Sequence, residues 1–300
     1  MKIPPYLLLY LIICGSIACN QPASRIEALK AHITRELEQQ KGAFAVAFKD
    51  LGNGQEFFLH EHESFHAAST MKTPVMIEIY KQSAAGRLSL SDSILIKNEF
   101  RSIADRSLFS LDTADDSELE LYKHLGEKRP IDSLLTLMIT RSSNLSTNLL
   151  IELVGAKNVQ QTMRELGAKD IRVLRGVEDN KAYEKGMNNT VSAYDLALIF
   201  EKMARGELLS AAASKDMVRI LLGQTFNEII PAQLPAEVKV AHKTGWFKSV
   251  NHDGGIVFLP DGRKYVLVLL SKNVEKDADA VAALARVSKI VYDYEIRNKE

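Results

Sequence analysis

The sequence predicts an α/β (α+β) protein: an antiparallel sheet formed from both chain ends, flanked by helices, with an inserted all-helical subdomain. Three observations carry this expectation. β-rich segments lie towards the two ends, at 43–59 and 238–270. The stretch from Ser69 to about Gly206 reads as mostly helical. A closing apolar-periodic segment, Ala280 to Ile296, supplies a last helix.

Taken in order, residues 25–41 place Ile26, Leu29, Ile33 and Leu37 three or four apart, one face of an amphipathic helix. Ala43-Phe44-Ala45-Val46-Ala47-Phe48 and Glu56-Phe57-Phe58-Leu59 flank Gly52-Asn53-Gly54, and Asn-Gly suits the positive φ of a hairpin turn. In the helical part, Ile131 to Thr140 and Asn148 to Val154 are apolar-periodic, and Asp195 to Met203 follows Ser192 as an N-cap. Arg101 to Lys128 is polar and acidic, with Asp112, Asp115, Asp116, Glu118 and Glu120, and reads as an exposed, solvated excursion. Val238 to Ala241, Gly255 to Leu259 and Lys264 to Leu270 are the C-terminal strand segments, the last two joined by the turn Pro260-Asp261-Gly262. The folded domain is thus 25–300, with 25–68 and 212–300 as the α/β part and 69–211 as the helical part.

At 300 residues, 46% hydrophobic and 25% charged, the chain has the composition of a globular protein. Lys plus Arg and Asp plus Glu are 38 each, so no basic excess argues for nucleic acid and no acidic tail for disorder. The N-terminus reads as a targeting segment, 1–19: Lys2 is followed by the apolar run Tyr6 to Ala18, too short to span a bilayer but suited to export. It ends in Gly15-Ser16-Ile17-Ala18-Cys19, small residues before a cysteine, which resembles a bacterial lipoprotein cleavage site. An ordinary signal peptide cut nearby is the alternative. A lipid on Cys19 would make Asn20 to Ser24 a polar tether to the membrane. The two cysteines, Cys14 and Cys19, both lie in this segment, so a disulfide or cysteine nucleophile in the domain is excluded.

Three short motifs carry chemistry. In Ser69-Thr70-Met71-Lys72, a helix beginning near Ser69 puts Lys72 one turn on, on the same face, with its amine in reach of the hydroxyl. A serine needs a base to become a nucleophile, and a desolvated lysine beside another cation loses its proton near neutral pH. The amide at the helix start could face an oxyanion. A capping serine with a solvated lysine would show the same pattern in isolation. Ser142-Ser143-Asn144 follows the buried helix 134–140; Ser142 could relay a proton to a leaving nitrogen, and the Asn144 amide could hold a substrate carbonyl and Lys72 together. A plain polar turn is the alternative. Lys243-Thr244-Gly245-Trp246 sits at a strand end: a strand edge can pair with an extended amide, Gly245 permits close approach, and Lys243 and Thr244 suit a substrate carboxylate.

With these motifs in this order, the sequence resembles the class A β-lactamases and penicillin-recognising serine enzymes, in particular a β-lactamase-related serine hydrolase subgroup, from about residue 25 to the end. Residues 138–150 look like that family's helix around its second serine motif, and Leu234-Pro235 to Gly245 like the approach to its third. Position 143, usually Asp in the family, is Ser143 here. The resemblance implies the class A β-lactamase-like fold and a serine hydrolase that opens β-lactam rings through an acyl-enzyme on Ser69. It implies catalytic roles for Lys72, Ser142 and Glu178, and substrate-binding roles for Asn144, Lys243, Thr244 and Gly245. Glu178, in Arg175-Gly176-Val177-Glu178-Asp179-Asn180, stands where the family keeps the base that activates the deacylating water. Two residues rather than one separate it from Arg175, and Ala182 stands where the family has an Asn; Asn180, Asn188 and Asn189 are candidates for that amide. The arginine that binds the substrate carboxylate has no counterpart in His252-Asp253-Gly254-Gly255, which leaves Lys243, Thr244 or His252, although His252 also suits a structural role. No cofactor is expected. No metal is required either, although His60, His62 and His66 are spaced by two and four. The expected partners are a β-lactam or peptidoglycan-like small molecule and, through the lipid, the membrane; the expected state is a monomer in the cell envelope. Two other readings stand: a penicillin-binding or D,D-peptidase-like protein that deacylates slowly, and a non-catalytic peptidoglycan-binding envelope protein.

Overall fold

The computed structural model describes residues 25–297, so the expectations for the export segment and Cys19 lie outside the described residues. Its elements run α1 (Arg25–Glu38), β1 (Ala43–Asp50), β2 (Glu56–Leu59), β3 (Phe65–His66), a 3-10 turn (Ala68–Met71) and α2 (Lys72–Ala84). Then come β4 (Ser93–Leu95), β5 (Phe100–Arg101), β6 (Leu108–Phe109), β7 (Lys128–Pro130), α3 (Ile131–Thr140), α4 (Asn144–Val154), α5 (Ala156–Glu165), α6 (Asn180–Glu184), β8 (Thr190–Val191), α7 (Ala193–Ala204) and α8 (Ala211–Leu221). The chain closes with β9 (Lys239–Phe247), β10 (Val250–Phe258), β11 (Lys264–Lys272) and α9 (Asp277–Arg297).

The main sheet is antiparallel, in the order β2-β1-β11-β10-β9. β1, from the start of the domain, lies between β2 and β11, in register from Ala43 opposite Lys272 to Asp50 opposite Tyr265. Its sequence lacks polar alternation because both faces are covered. Phe44, Val46 and Phe48 pack with Leu29 and Ile33 of α1 and Leu284, Val287 and Val291 of α9. The small Ala45 and Ala47 face the other layer, where α7 crosses and where α2, α3 and α4 bring Met76, Leu134, Met138 and Leu150 into one core. Each such apolar side chain contributes roughly 1.5–3 kcal/mol on burial. No helix among the described residues is long and apolar enough to cross a membrane.

The structure agrees with the predicted fold class and refines it. The inserted part is mainly helical but also carries two short ribbons, β4 with β7 and β5 with β6, and its β8 pairs with β3 from the preceding α/β segment. The β1–β2 turn is held by the Asp50 carboxylate, which accepts from the Gly52 amide at 2.7 Å, while Gly54 takes φ +77°. β9 and β10 run longer than expected, so Lys243-Thr244-Gly245 sits within an edge strand rather than at a strand end. The expectation that 101–128 is a solvated excursion holds for Asp112, Asp115 and Glu120 but fails for Ser102, Leu111, Asp116 and Leu121, which are buried. Leu111 and Leu121 join the main core, and the polar atoms of Asp116 are taken up by the start of α4.

Candidate active site

Ser69 is presented on the 3-10 turn that leads into α2. Ala68, just before it, holds φ +45°, and its amide donates to Nδ1 of His66 at 3.1 Å. A non-glycine residue at positive φ stores strain, typically at functional sites. Ser142 (φ +56°) and Glu178 (φ +59°) share this conformation. Ser69 lies where two cavities meet, of about 470 and 690 Å³, and its hydroxyl makes no hydrogen bond to any described residue. Gly245 of the edge strand packs directly on this turn: a Cβ there would come within 3.1–3.2 Å of Thr70, Ala68 and the Ser69 amide nitrogen.

Lys72 is fully buried at the first turn of α2. Its amine does not reach for Ser69 as the helix spacing suggested. It donates to the Ser142 carbonyl at 2.5 Å and the Asn144 Oδ1 at 2.9 Å, and lies 3.2 Å from the Ser142 hydroxyl. A desolvated amine is satisfied best by such strong acceptors. Burial pushes Lys72 down to about 7, against the opposing pull of Asp116 and Glu178. Lys243 approaches from β9, 3.1 Å from the same hydroxyl and 2.9 Å from the Thr244 carbonyl. Burial and the neighbouring Lys72 hold it well below the ordinary lysine range, with Asp253 acting the other way. Two buried ammonium ions on one hydroxyl repel each other. One proton fewer satisfies every contact: whichever lysine stays an ammonium donates to the Ser142 hydroxyl, which in turn donates to the lone pair of the other. Ser142 thus stands between two amines, able to accept from one and donate to the other.

Asn144 extends the chain. Its Nδ2 donates to Glu178 Oε1 at 2.7 Å and to the Asp115 carbonyl at 3.0 Å. Glu178 Oε2 accepts from the Asp112 amide at 3.1 Å. Burial, reinforced by Asp115 and Asp116, raises the Glu178 carboxyl above its usual range, against the hydrogen bonds from Asp112 and Asn144. Loop geometry brings it here. Asn148 of α4 clamps Val177 with both amide atoms, accepting from its N–H at 2.7 Å and donating to its carbonyl at 3.0 Å. A side chain at Gly176 would collide with that amide at 2.1 Å. Asp179 caps α6 through the Ala182 amide and also accepts from Ser102 Oγ at 2.7 Å and the Ile103 amide at 2.8 Å.

The structure therefore gathers all eight residues singled out from the sequence, Ser69, Lys72, Ser142, Asn144, Glu178, Lys243, Thr244 and Gly245, around one cleft. It reassigns others. Asn188 and Asn189 do not serve Glu178; they hold Arg175 and the neck of its loop, Asn189 accepting from the Leu174 amide at 2.8 Å and Asn188 from Arg175 at 3.1 Å. His252 has both ring nitrogens engaged, on the His66 carbonyl and the Ser271 amide, and burial pushes it down to about 4. A neutral, spent imidazole offers no counter-charge, and among the described residues no arginine lines the cavity beside Thr244, whose charged walls are Asp115, Asp116, Glu228 and Asp277. Among the described residues no group of His, Cys, Asp or Glu could hold a metal. Residues missed in the sequence are Asn148, Asp116 and Tyr122, which support the site without any motif to mark them.

Comparison with known proteins follows this geometry. A family model described as a beta-lactamase enzyme family matches residues 28–295. A β-lactamase of Bacteroides uniformis is 24% identical, over 96% of this chain and 98% of its own. The crystal structure of a β-lactamase from Chitinophaga pinensis superimposes with a TM-score of 0.78 at 23% identity, covering 89% of this chain and 99% of that one. A mutant of PBP-A, solved as an acyl-enzyme complex with penicillin G, superimposes equally well, TM-score 0.78 at 27% identity, over 90% and 97%.

Proposed function

The chain belongs to the beta-lactamase enzyme family, and from that premise we propose that it opens β-lactam rings by attack of Ser69 on the lactam carbonyl. The observation that carries the reading is the Lys243–Ser142–Lys72 chain of hydrogen bonds, whose Ser142 lines the same cavity as the uncommitted hydroxyl of Ser69. Lys72, held at about 7, is poised to accept a proton at neutral pH, the condition that general-base catalysis favours. As Ser69 Oγ bonds to the lactam carbon its proton passes to Lys72, the C–N bond breaks, and Ser142 gives its own proton to the leaving nitrogen and is reprotonated by Lys72. The Ser69 amide, backed by Gly245, faces the oxyanion. Thr244 and Lys243 are the groups left to meet a substrate carboxylate. Glu178, linked to Lys72 through Asn144, then activates the water that releases the opened product.

One experiment tests this. Purified protein and Ser69→Ala are mixed with a chromogenic cephalosporin, and both colour and intact mass are followed. Turnover with no lasting adduct is expected for the wild type, and neither colour nor adduct for Ser69→Ala. A stable stoichiometric adduct would mean a penicillin-binding protein. Full labelling of Ser69→Ala would remove Ser69 as nucleophile. Neither turnover nor adduct would leave a peptidoglycan-binding module. We further propose that the protein is exported, lipidated on Cys19 and held as a monomer at the cell envelope. The support is Tyr6 to Ala18 followed by Cys19 and the tether 20–24.

A further inference from the structure

The first amides of a helix need acceptors, and an acid near a helix start also answers the dipole. At α4 this task is divided. Ser143, the N-cap, accepts from the Ser146 amide at 3.1 Å. The two amides before it, Asn144 and Leu145, both donate at 2.9 Å to one oxygen of Asp116, a buried residue twenty-eight positions upstream. The same oxygen accepts from the Tyr122 hydroxyl at 2.9 Å, and the other from the Glu118 amide at 3.0 Å. Asn144 is thereby fixed at its backbone, and its side chain spans Lys72 and Glu178. The motif Ser142-Ser143-Asn144 lacks an acid at its centre. We propose that Asp116 is a positioning residue for the acyl-transfer centre, supplying from the 101–128 segment the carboxylate that position 143 lacks and holding Asn144 so that its amide joins Lys72 to Glu178. The proposal rests on the acyl-transfer reading above.

The charge matters as well as the geometry. Lys72 is faced by Asp116, by Glu178 from its loop and by Lys243 from β9; the two carboxylates favour its ammonium form and Lys243 disfavours it. Removing the Asp116 charge therefore moves Lys72 further down. The test compares wild type, Asp116→Asn and the double variant Asp116→Asn/Ser143→Asp, reading the second-order rate of penicillin acylation against pH by intact mass, with circular dichroism to monitor folding. In Asp116→Asn, acylation should fall about 10- to 100-fold, the usual cost of losing hydrogen bonds to a charged group. The acidic limb of its profile should shift to lower pH. In the double variant, which returns a carboxylate to the start of the same helix, the rate should recover at least several-fold and the limb should move back. If Asp116→Asn fails to fold, a folded, acylating double variant still supports the proposal. A slowed Asp116→Asn with an unmoved limb, or a double variant as impaired as the single, overturns it. Absence of acylation in the wild type is a separate outcome, which rejects the underlying reading and this proposal with it.

Discussion

Replacing Glu178 by Gln should divide the reaction in two. The side chain keeps its length and an oxygen for the Asn144 amide, now 2.7 Å from Oε1. It loses basicity, and its new NH₂ meets the Asp112 N–H, which at present donates to Oε2 at 3.1 Å. That donor–donor encounter costs the loop about 1–3 kcal/mol, a loss visible in thermal unfolding. It leaves Ser69, Lys72, Ser142 and Lys243 with all their own partners, so acylation should change little. Loss of a general base slows deacylation by about 10²–10⁴-fold, or roughly 3–5 kcal/mol in the barrier. The assay is rapid mixing with a penicillin, quenched at intervals for intact mass, beside steady-state hydrolysis. An adduct should form at the wild-type rate and persist while turnover falls. The wild type should imitate the variant in acid. Because burial raises the Glu178 carboxyl, the water-activating form is lost as pH falls through a value above the ordinary 4.5. Wild-type turnover in Glu178→Gln with no adduct would refute the assignment. Asp115, which lines both cavities, would then be next to test, since Asp179 is occupied by Ser102, Ile103 and Ala182.

Four further outcomes are expected. Gly245→Ala should slow acylation by roughly 10- to 100-fold with little change in melting temperature, because its Cβ presses on the Ser69 amide nitrogen and small displacements there are costly; unchanged acylation would exclude this. Trp246, the only tryptophan and 68% exposed, borders both cavities, so its fluorescence should change in step with acyl-enzyme formation; a silent signal during confirmed acylation would contradict the placement. Glu295 is pushed up to about 7 by burial and by Asp50, so the folded state binds a proton that the unfolded state has released above 4.5. Stability should thus fall as pH rises from 4.5 to 7, by up to about 3 kcal/mol, and Glu295→Gln should flatten that decline in urea unfolding. Cys19→Ser should shift the protein out of the membrane fraction, and a mature wild-type N-terminus other than Cys19 would rule the anchor out.

Much of the site was legible because its chemistry is local in sequence. Ser69 and Lys72 are three apart, Ser142 and Asn144 two apart, and Lys243 to Gly245 contiguous. Helix periodicity placed α3 to the residue, as an uninterrupted apolar face does. What stayed hidden depends on backbone conformation and distant partners. The positive φ of Ala68, Ser142 and Glu178 has no marker in side chains that usually avoid it. Lys72 looked aimed at Ser69 because spacing tells which face a residue occupies, not which acceptor its flexible amine chooses. Asp116 is one acid among several in a polar stretch, distinguished only by its three hydrogen bonds at one oxygen. β9 and β10 were read short because Lys243-Thr244-Gly245 and Asn251 to Gly255 lack apolar alternation, yet their side chains are mostly buried where the sheet meets Ser69.

The pairing of β1 with β11 also sets the order in which the molecule can be completed during synthesis. β1 leaves the ribosome early, and its second neighbour is made more than two hundred residues later. Until then β1 has only β2 beside it, and the inner face that Leu267 and Leu269 will share is open. Lys243 and Gly245 emerge in that same late segment, so Ser69 is translated long before the groups that complete its surroundings. A nascent chain halted before residue 239 therefore contains Ser69, Lys72, Ser142 and Glu178 but cannot close the cleft around them. Non-local pairing of this kind delays folding until the chain is nearly finished. The polypeptide thus stays threadable and chemically idle until its last strands arrive.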